Sequence, residues 1–326
     1  QRLSGEVHCT QDHYVKQLRL MALERTTADT EPLTETQKTA YWSLLGGAAW
    51  CLVTRADVAI HVGHLQRQAH SPMMRHARQL NAVVKWLKRT PCTLVYKRVA
   101  FPWEVVTFPD SAFRATEPDC LAVRAAVTLV VEASTFFKNM GGRSVVLDFY
   151  SRKQPRVCRS TFSAELASQD DGISSAITWQ VMLNEIAYGP LTAHQIQWSL
   201  DRGTFPIKLV ACTDNKGLYS ALSAVELRPP AEPHLIYLLK SLRERLECGT
   251  LSALYWIDTR DMISDALTKG GLSRDPILKL WAESALKFLG DTPLMLKLCR
   301  DRSEVKHCLV FCLSVVRAVY IYICLL

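Results

Sequence analysis

Four acidic residues fall where hydrolysis of a phosphodiester needs them. Asp110 follows one apolar run, Glu165 opens a long helical pattern, Asp214 closes a second apolar run, and Asp265 lies in the first turn of a short final helix. Such chemistry requires a nucleophilic water, stabilisation of developing charge and help for the leaving oxygen. Two magnesium ions about 4 Å apart supply all three. Magnesium takes hard oxygen ligands, so carboxylates rather than thiols or imidazoles are the expected holders. Each acid also has a local explanation: Asp214 as cap of the helix that follows, Glu165 and Asp265 as partners of helix dipoles, and Asp110 as a turn former. Only their convergence in space separates the two explanations.

The elements that must position them can be read from hydrophobic periodicity. Residues 1–35 are polar and mixed and read as a linker, with Thr34 or Thr36 placed to cap a following helix. Tyr41 to Thr54 is small and apolar, with Gly46 and Gly47 allowing close packing, and Ala56 to Gln68 continues a helical pattern. In Met73 to Lys88, Ala77, Leu80, Val84 and Leu87 form one apolar stripe. Residues 36–92 therefore form a small helical subdomain. The texture then changes to strands, expected over Thr93 to Arg98, Glu104 to Phe108, Leu121 to Glu132 and Ser144 to Phe149. A helix over Phe162 to Ala187 follows, then strand Ile207 to Thr213, helices Asn215 to Ala224 and His234 to Glu247, strand Leu251 to Ile257 and helix Met262 to Thr268. Several strands followed by alternating helix and strand indicate an α/β fold with a mixed sheet over residues 93–272.

Composition narrows the class further. The 326 residues carry a net charge of +8. Between Thr36 and Ala100, ten basic residues including Lys85, Lys88 and Arg89 stand against Asp57 alone, which fits either a solvated helix face or a phosphate-contacting surface. The eleven cysteines are scattered singly, without the spacing of a zinc site or a disulfide framework, so reduced thiols of an intracellular protein, cytoplasmic or nuclear, are expected. His61, His64 and His70 do not repeat on one helix face and are not expected to bind metal.

The motifs around the acids bring a family into view. Phe-Pro-Asp-Ser-Ala at Asp110, Tyr-Ser-Arg-Lys-Gln at Tyr150 and Ser-Thr-Phe-Ser-Ala-Glu-Leu ending at Leu166 come first. Thr-Asp-Asn at Asp214 and Ile-Ser-Asp-Ala-Leu-Thr-Lys ending at Lys269 follow in the same order. Together they resemble the ribonuclease H domain of copia-type retrotransposon Pol polyproteins. Upstream, Tyr41-Trp-Ser-Leu-Leu-Gly-Gly, Thr54-Arg-Ala-Asp-Val and Val84-Lys-Trp-Leu-Lys-Arg-Thr resemble the connecting region after the reverse transcriptase of those polyproteins, so the likeness spans about Gln11 to Gly271. It implies a ribonuclease H-like fold and cleavage of the RNA strand of an RNA–DNA hybrid during reverse transcription. It also implies two magnesium ions, or manganese in their place, held by Asp110, Glu165, Asp214 and Asp265. In that scheme Asp110 bridges both ions, Glu165 and Asp214 complete one coordination shell, and Asp265 helps hold the other ion. Arg152, Lys153 and Arg156 beside the site, with Lys85, Lys88 and Arg89 on the basic helix, are the candidates for phosphate contacts. The implied partners are the hybrid and the upstream polymerase region. His234 matches a histidine common in the family and is given no role.

Several features depart from that pattern. Proline cannot donate to a sheet ladder, so Pro109 is expected to end or bend the strand before Asp110. The Asp258-Thr-Arg-Asp loop lacks the histidine that many cellular ribonucleases H carry there. Residues 1–100 contain no paired catalytic aspartates, which excludes a polymerase. A decayed remnant that binds nucleic acid without cleaving it is the alternative to a nuclease; an integrase-like reading is disfavoured by the Asp265 run. Residues 273–326 are expected to form a tail outside the domain. Its apolar stretch Leu309 to Leu326 reads as out-of-frame rather than as a membrane anchor, because Arg317 is central. The absence of an initiating methionine suggests a fragment of a longer product.

Overall fold

The computed structural model describes residues 5–113, 121–133 and 135–298. A short strand β1 (Val7–Cys9) and helix α1 (Asp12–Gln17) lead into three longer helices, α2 (Glu35–Trp50), α3 (Ala59–Arg67) and α4 (Met74–Arg89). Thr34 starts α2 with a capping box, its hydroxyl accepting from Gln37 N–H while the Gln37 side chain accepts from Thr34 N–H. At Gly47 a Cβ would stand 2.7 Å from the Leu18 side chain, so glycine permits the close approach. The α4 stripe of Ala77, Leu80, Val84 and Leu87 is buried as its periodicity requires, in one core with Tyr41, Leu44 and Leu65. That core also takes in Val15, Leu18 and Leu33. The described part of the expected linker, residues 5–35, is therefore tied to the fold, because its few apolar side chains complete the helical core. The basic run is likewise not all surface: Arg55 and Asp57 form a fully buried ion pair, joined by the Trp86 indole N–H at 2.7 Å.

The remaining elements are β2 (Leu94–Tyr96), which pairs with β1, then β3 (Trp103–Ala112), β4 (Val123–Glu132), β5 (Gly141–Lys153), α5 (Thr161–Tyr188), α6 (Ala193–Arg202) and β6 (Lys208–Thr213). They continue with α7 (Lys216–Ser223), α8 (Ile236–Cys248), β7 (Ala253–Trp256), α9 (Asp265–Thr268), α10 (Asp275–Glu283), β8 (Ala285–Lys287) and β9 (Leu294–Leu296). Seven strands form one mixed sheet in the order β8-β5-β4-β3-β6-β7-β9. The β3, β4 and β5 strands meander antiparallel, whereas β6 and β7 run parallel to β3. Leucines of α7 and α8 with Leu166 and Ile173 of α5 cover one sheet face. Leu267, Ile277, Leu280 and Trp281 cover the other. The fold is a ribonuclease H-like α/β architecture with flanking helices, preceded by a small helical subdomain.

Two expectations fail here. The β3 strand does not end before Pro109; it runs on to Ala112, with Pro109 paired to Ala126 and Asp110 to Ala125. The parallel ladder with β6 stops at Thr107, so the strand beyond is paired on one side only, where a residue lacking N–H is tolerated. The proline ring seats over Gly172 of α5, where a Cβ would stand 2.5 Å from Pro109 Cγ. The segment from 273 to 298 is not a tail either. Helix α10 buries Ile277, Leu280 and Trp281, β8 pairs with β5, and β9 pairs with β7. The apolar stretch Leu309 to Leu326 lies outside the described residues. Among the described residues no helix is long and apolar enough to cross a membrane.

Candidate active site

The sheet topology carries the four acids to one end of the central strands. Asp110 lies on β3, 1% exposed. Its backbone carbonyl accepts from Ser168 Oγ of α5 at 2.6 Å, and its carboxylate accepts from the Thr268 hydroxyl at the end of α9. Asp110 is thus gripped from both faces of the sheet. Glu165 sits in the second turn of α5 and is 7% exposed. Asp214 follows the last residue of β6, and Asp265 is the first residue of α9.

Neighbouring residues take up most of the local jobs that might have explained these acids. Helix α7 is capped by Asn215, whose side chain accepts from Leu218 N–H at 2.9 Å, and not by Asp214. Helix α5 is capped by Ser160 with Ser163 in a reciprocal pair, which leaves Glu165 inside the helix and turned toward Ser111. Asp110 lies within a strand rather than at a turn. Buried amides fix the frame: Gln169 donates to the Cys212 carbonyl at 3.3 Å, and Gln180 and Asn184 clasp Ile207. These bonds hold both ends of β6 to α5, and with them Asp214 relative to Glu165.

Electrostatics link the acids into one cluster. Burial drives the Asp110 carboxyl well above its usual range, and the charges of Glu165 and Asp265 add to the rise. Glu165 is pushed up to about 8 by burial and then by Asp214. Asp214 is raised by burial and by Asp265, with the Thr259 hydroxyl pulling the other way. Lys269, one helical turn beyond Asp265, forms an ion pair with it. Burial works against the Lys269 ammonium, but Asp110, Asp265 and Asp214 outweigh that and raise its affinity for its proton. Four carboxylates thus share one ammonium, a deficit of positive charge that burial makes expensive.

No protein-family model and no curated protein matches the chain.

By type, Asp110, Glu165, Asp214 and Asp265 are hard oxygen donors of the kind magnesium takes, with no sulfur or imidazole among them. Among the described residues no three acidic, histidine or cysteine side chains stand arranged to hold a single ion; Lys269 serves as the cation among the acids.

The candidate phosphate contacts divide. Arg152 and Lys153 end β5, and Arg156 lies in the exposed loop after it. Arg152 stacks over the Tyr150 ring at 4.5 Å. Cross-strand register sets Ser111 opposite Arg124 and Arg124 opposite Arg152, so a basic row begins one residue from Asp110. Arg124, not singled out from the sequence, is held there by an ion pair with Asp171 of α5. Lys85, Lys88 and Arg89 are instead on the exposed side of α4, which packs on α1, α2 and α3 rather than on the sheet. Lys88 donates to the Lys16 carbonyl and Arg89 to that of Lys85. His234 is exposed, 4.0 Å from Glu232, which accepts from the hydroxyl of Ser160 at the start of α5. Sequence reasoning gave no role to Lys269, Thr268 or Ser168. The spacing of Asp265 and Lys269 was the available signal, since residues four apart meet on one helix face.

Proposed function

We propose that this chain is the ribonuclease H region of a copia-type retrotransposon Pol polyprotein and hydrolyses the RNA strand of an RNA–DNA hybrid. The observation that carries the reading is the placement of Asp110, Glu165, Asp214 and Asp265 at one end of a mixed sheet, with Lys269 paired to Asp265 and the Thr268 hydroxyl on the Asp110 carboxylate. Local capping accounts for none of Asp110, Glu165 and Asp214. Burying several like charges is costly unless a ligand repays it, and functional sites are where such arrangements concentrate.

Asp110, Glu165, Asp214 and Asp265 would hold two magnesium ions, which when bound activate a water and stabilise the departing 3′ oxygen. The rest is work for this chain's own groups. Thr268 and Ser168 fix Asp110 in orientation. Lys269 neutralises part of the acidic cluster, lowering the repulsion that an anionic phosphate meets on approach. Arg152, Lys153 and Arg156 draw the backbone across the strand ends, and Arg124 extends that row toward Ser111. Such contacts follow phosphates and groove shape, not base edges, and discrimination of RNA from DNA rests on its 2′-hydroxyl.

A second reading is nucleic-acid binding without cleavage. It is favoured by Lys269 standing among the acids with no three of them gathered about one point. One assay separates the two. The full chain is incubated with end-labelled RNA–DNA hybrid and magnesium, beside an Asp110→Asn, Asp214→Asn double variant. Magnesium-dependent cuts in the RNA strand, lost in the double variant, support the nuclease. Binding without cuts supports the second reading, and cuts that survive both substitutions overturn the site.

A further inference from the structure

Helix α9 is four residues long yet carries Asp265 at its start and is followed at once by Lys269. So short a helix has no ladder of its own to fix it, and its terminal carbonyls need partners. Ser151 of β5 donates to the Leu267 carbonyl at 2.6 Å, and Arg274 takes the Ala266 carbonyl and those of the two residues that follow the helix. Its guanidinium, in a residue 7% exposed, donates to the carbonyls of Ala266, Lys269 at 3.2 Å and Gly270 at 2.9 Å. The same group reaches across to the helical subdomain, where its second terminal nitrogen lies 3.2 Å from Nε2 of His61 on α3. Burial first, then the charges of Arg274 and His64, keep His61 below its ordinary range. The guanidinium has only donors, so at this contact Nε2 of the imidazole accepts. Beside this contact lies a cleft of about 590 Å³, lined among others by Asp57, His64, Trp86 and Leu272. Ala56 and Ala59 pack with Ala266 and Leu267 in one buried core, and at the cleft, where that packing is interrupted, the Arg274 contact spans the two parts.

We infer that Arg274 and His61 form a latch by which the helical subdomain sets the position of the Asp265–Lys269 turn. On the nuclease reading, on which this rests, Arg274 is a positioning residue for Asp265 and Lys269. The planar fork of an arginine is what the geometry demands: three carbonyls and an imidazole lie in different directions, and a lysine ammonium on a flexible stem cannot reach all four.

The test uses the full chain and four variants: Arg274→Met, Arg274→Lys, His61→Ala and His61→Gln, the last retaining an acceptor. Amide hydrogen exchange is followed by mass spectrometry over residues 265–270, with 103–112 and 161–188 as internal references. Arg274→Met and His61→Ala are expected to speed exchange in 265–270 while the reference segments keep their protection. Arg274→Lys should restore little, and His61→Gln most of it. In hybrid cleavage, displacement of one acid by about 1 Å predicts a loss in kcat on the order of 100-fold, with KM within about twofold of wild type. Exchange in 265–270 that is unchanged in both Arg274→Met and His61→Ala overturns the latch. So does a rise spread equally over all three segments, which is the signature of general destabilisation. Should Arg274→Met fail to fold, the two His61 variants decide from the other side of the contact. A wild-type chain that cuts no hybrid defeats the nuclease reading, and the exchange data still decide the latch.

Discussion

The cluster of acids makes a quantitative demand on stability. Glu165 is carried from 4.5 to about 8 on folding, first by burial and then by Asp214. Its folded pKa lies above its unfolded one, so the folded state binds the extra proton. That stability is fully present below pH 4.5 and is lost as pH rises through 8. At 1.36 kcal/mol per unit the complete loss is about 5 kcal/mol. His61 and His76, lowered chiefly by burial, give an opposite slope below their ordinary value, so the informative window starts at pH 6.5. Between pH 6.5 and 8.5 the Glu165 contribution falls by about 2 kcal/mol. For a chain of this size, at about 2.1 cal/mol/K of unfolding entropy per residue, that is roughly 3 °C in thermal midpoint. The measurement is the midpoint of the full chain in EDTA across that window, with Glu165→Gln as reference, because every other titrating group is common to both. Wild type is expected to fall relative to the variant by that amount, and magnesium to flatten the difference. Parallel curves from pH 6.5 to 8.5 would mean that Glu165 carries no unbalanced charge in the folded site, and the electrostatic case for a cation site would collapse.

Other outcomes follow from packing and capping. Gly172→Ala sets a methyl against the Pro109 ring and should cost about 1–3 kcal/mol by overpacking. Adding Pro109→Ala should recover much of this, and denaturant melts of both single variants and the double give the coupling. Asn215→Ala removes the α7 cap and should cost about 1 kcal/mol while leaving kcat for hybrid unchanged. Asp214→Asn should do the reverse, abolishing cleavage while holding or raising the metal-free thermal midpoint at pH 8. Arg55→Met strands the buried Asp57 carboxylate and also removes a donor to the Leu87 carbonyl. A loss of about 3–5 kcal/mol by urea unfolding is expected, and a loss under 1 kcal/mol would show that Asp57 escapes to solvent or to Trp86.

What the sequence made legible was whatever periodicity and end signals encode. The α4 stripe, the long α5 and the β6–α7 junction with Asp214 could all be read, because each depends on neighbours within a few turns, whereas Asp110 lies within β3 and not after it. Helix α6 was missed although Thr192, Gln195 and Gly203 bracket it with a capping box and a left-handed stop. It buries none of its residues, so no apolar stripe drew attention to it. The α10–β9 segment was missed for another reason: its strands have three residues each and exist only because β5 and β7 offer open edges. Pro109 was misread because its tolerance depends on where the β6 ladder stops and on Gly172, far away in sequence. Arg124 escaped notice because only register places it between Ser111 and Arg152.

The three-dimensional placement changes what the acids mean more than it changes where they are. Read along the chain, Asp214 before a helix and Glu165 near a helix start are ordinary, and each carries a modest dipole or capping benefit of about 1 kcal/mol. In the fold those benefits belong to Asn215, Ser160 and Ser163, so the acids retain their desolvation and mutual repulsion without the compensation. A chain could relieve that repulsion with amides of the same shape, as it does at Gln169, Gln180 and Asn184 along the same helix, which donate to carbonyls at both ends of β6. Helix α5 therefore uses neutral amides for its buried contacts to β6 and sets its acids Asp170 and Asp171 against arginines, yet presents Glu165 where the neighbour is another acid. That contrast within one helix is the strongest physical argument that the cluster is kept for a ligand of positive charge. It also gives the sharpest control: replacing Glu165 by glutamine should make the metal-free protein more stable above neutral pH and, on the proposed nuclease reading, abolish cleavage. Should Glu165→Gln be less stable than wild type at pH 8.5 without metal, the carboxylate would be a structural group after all.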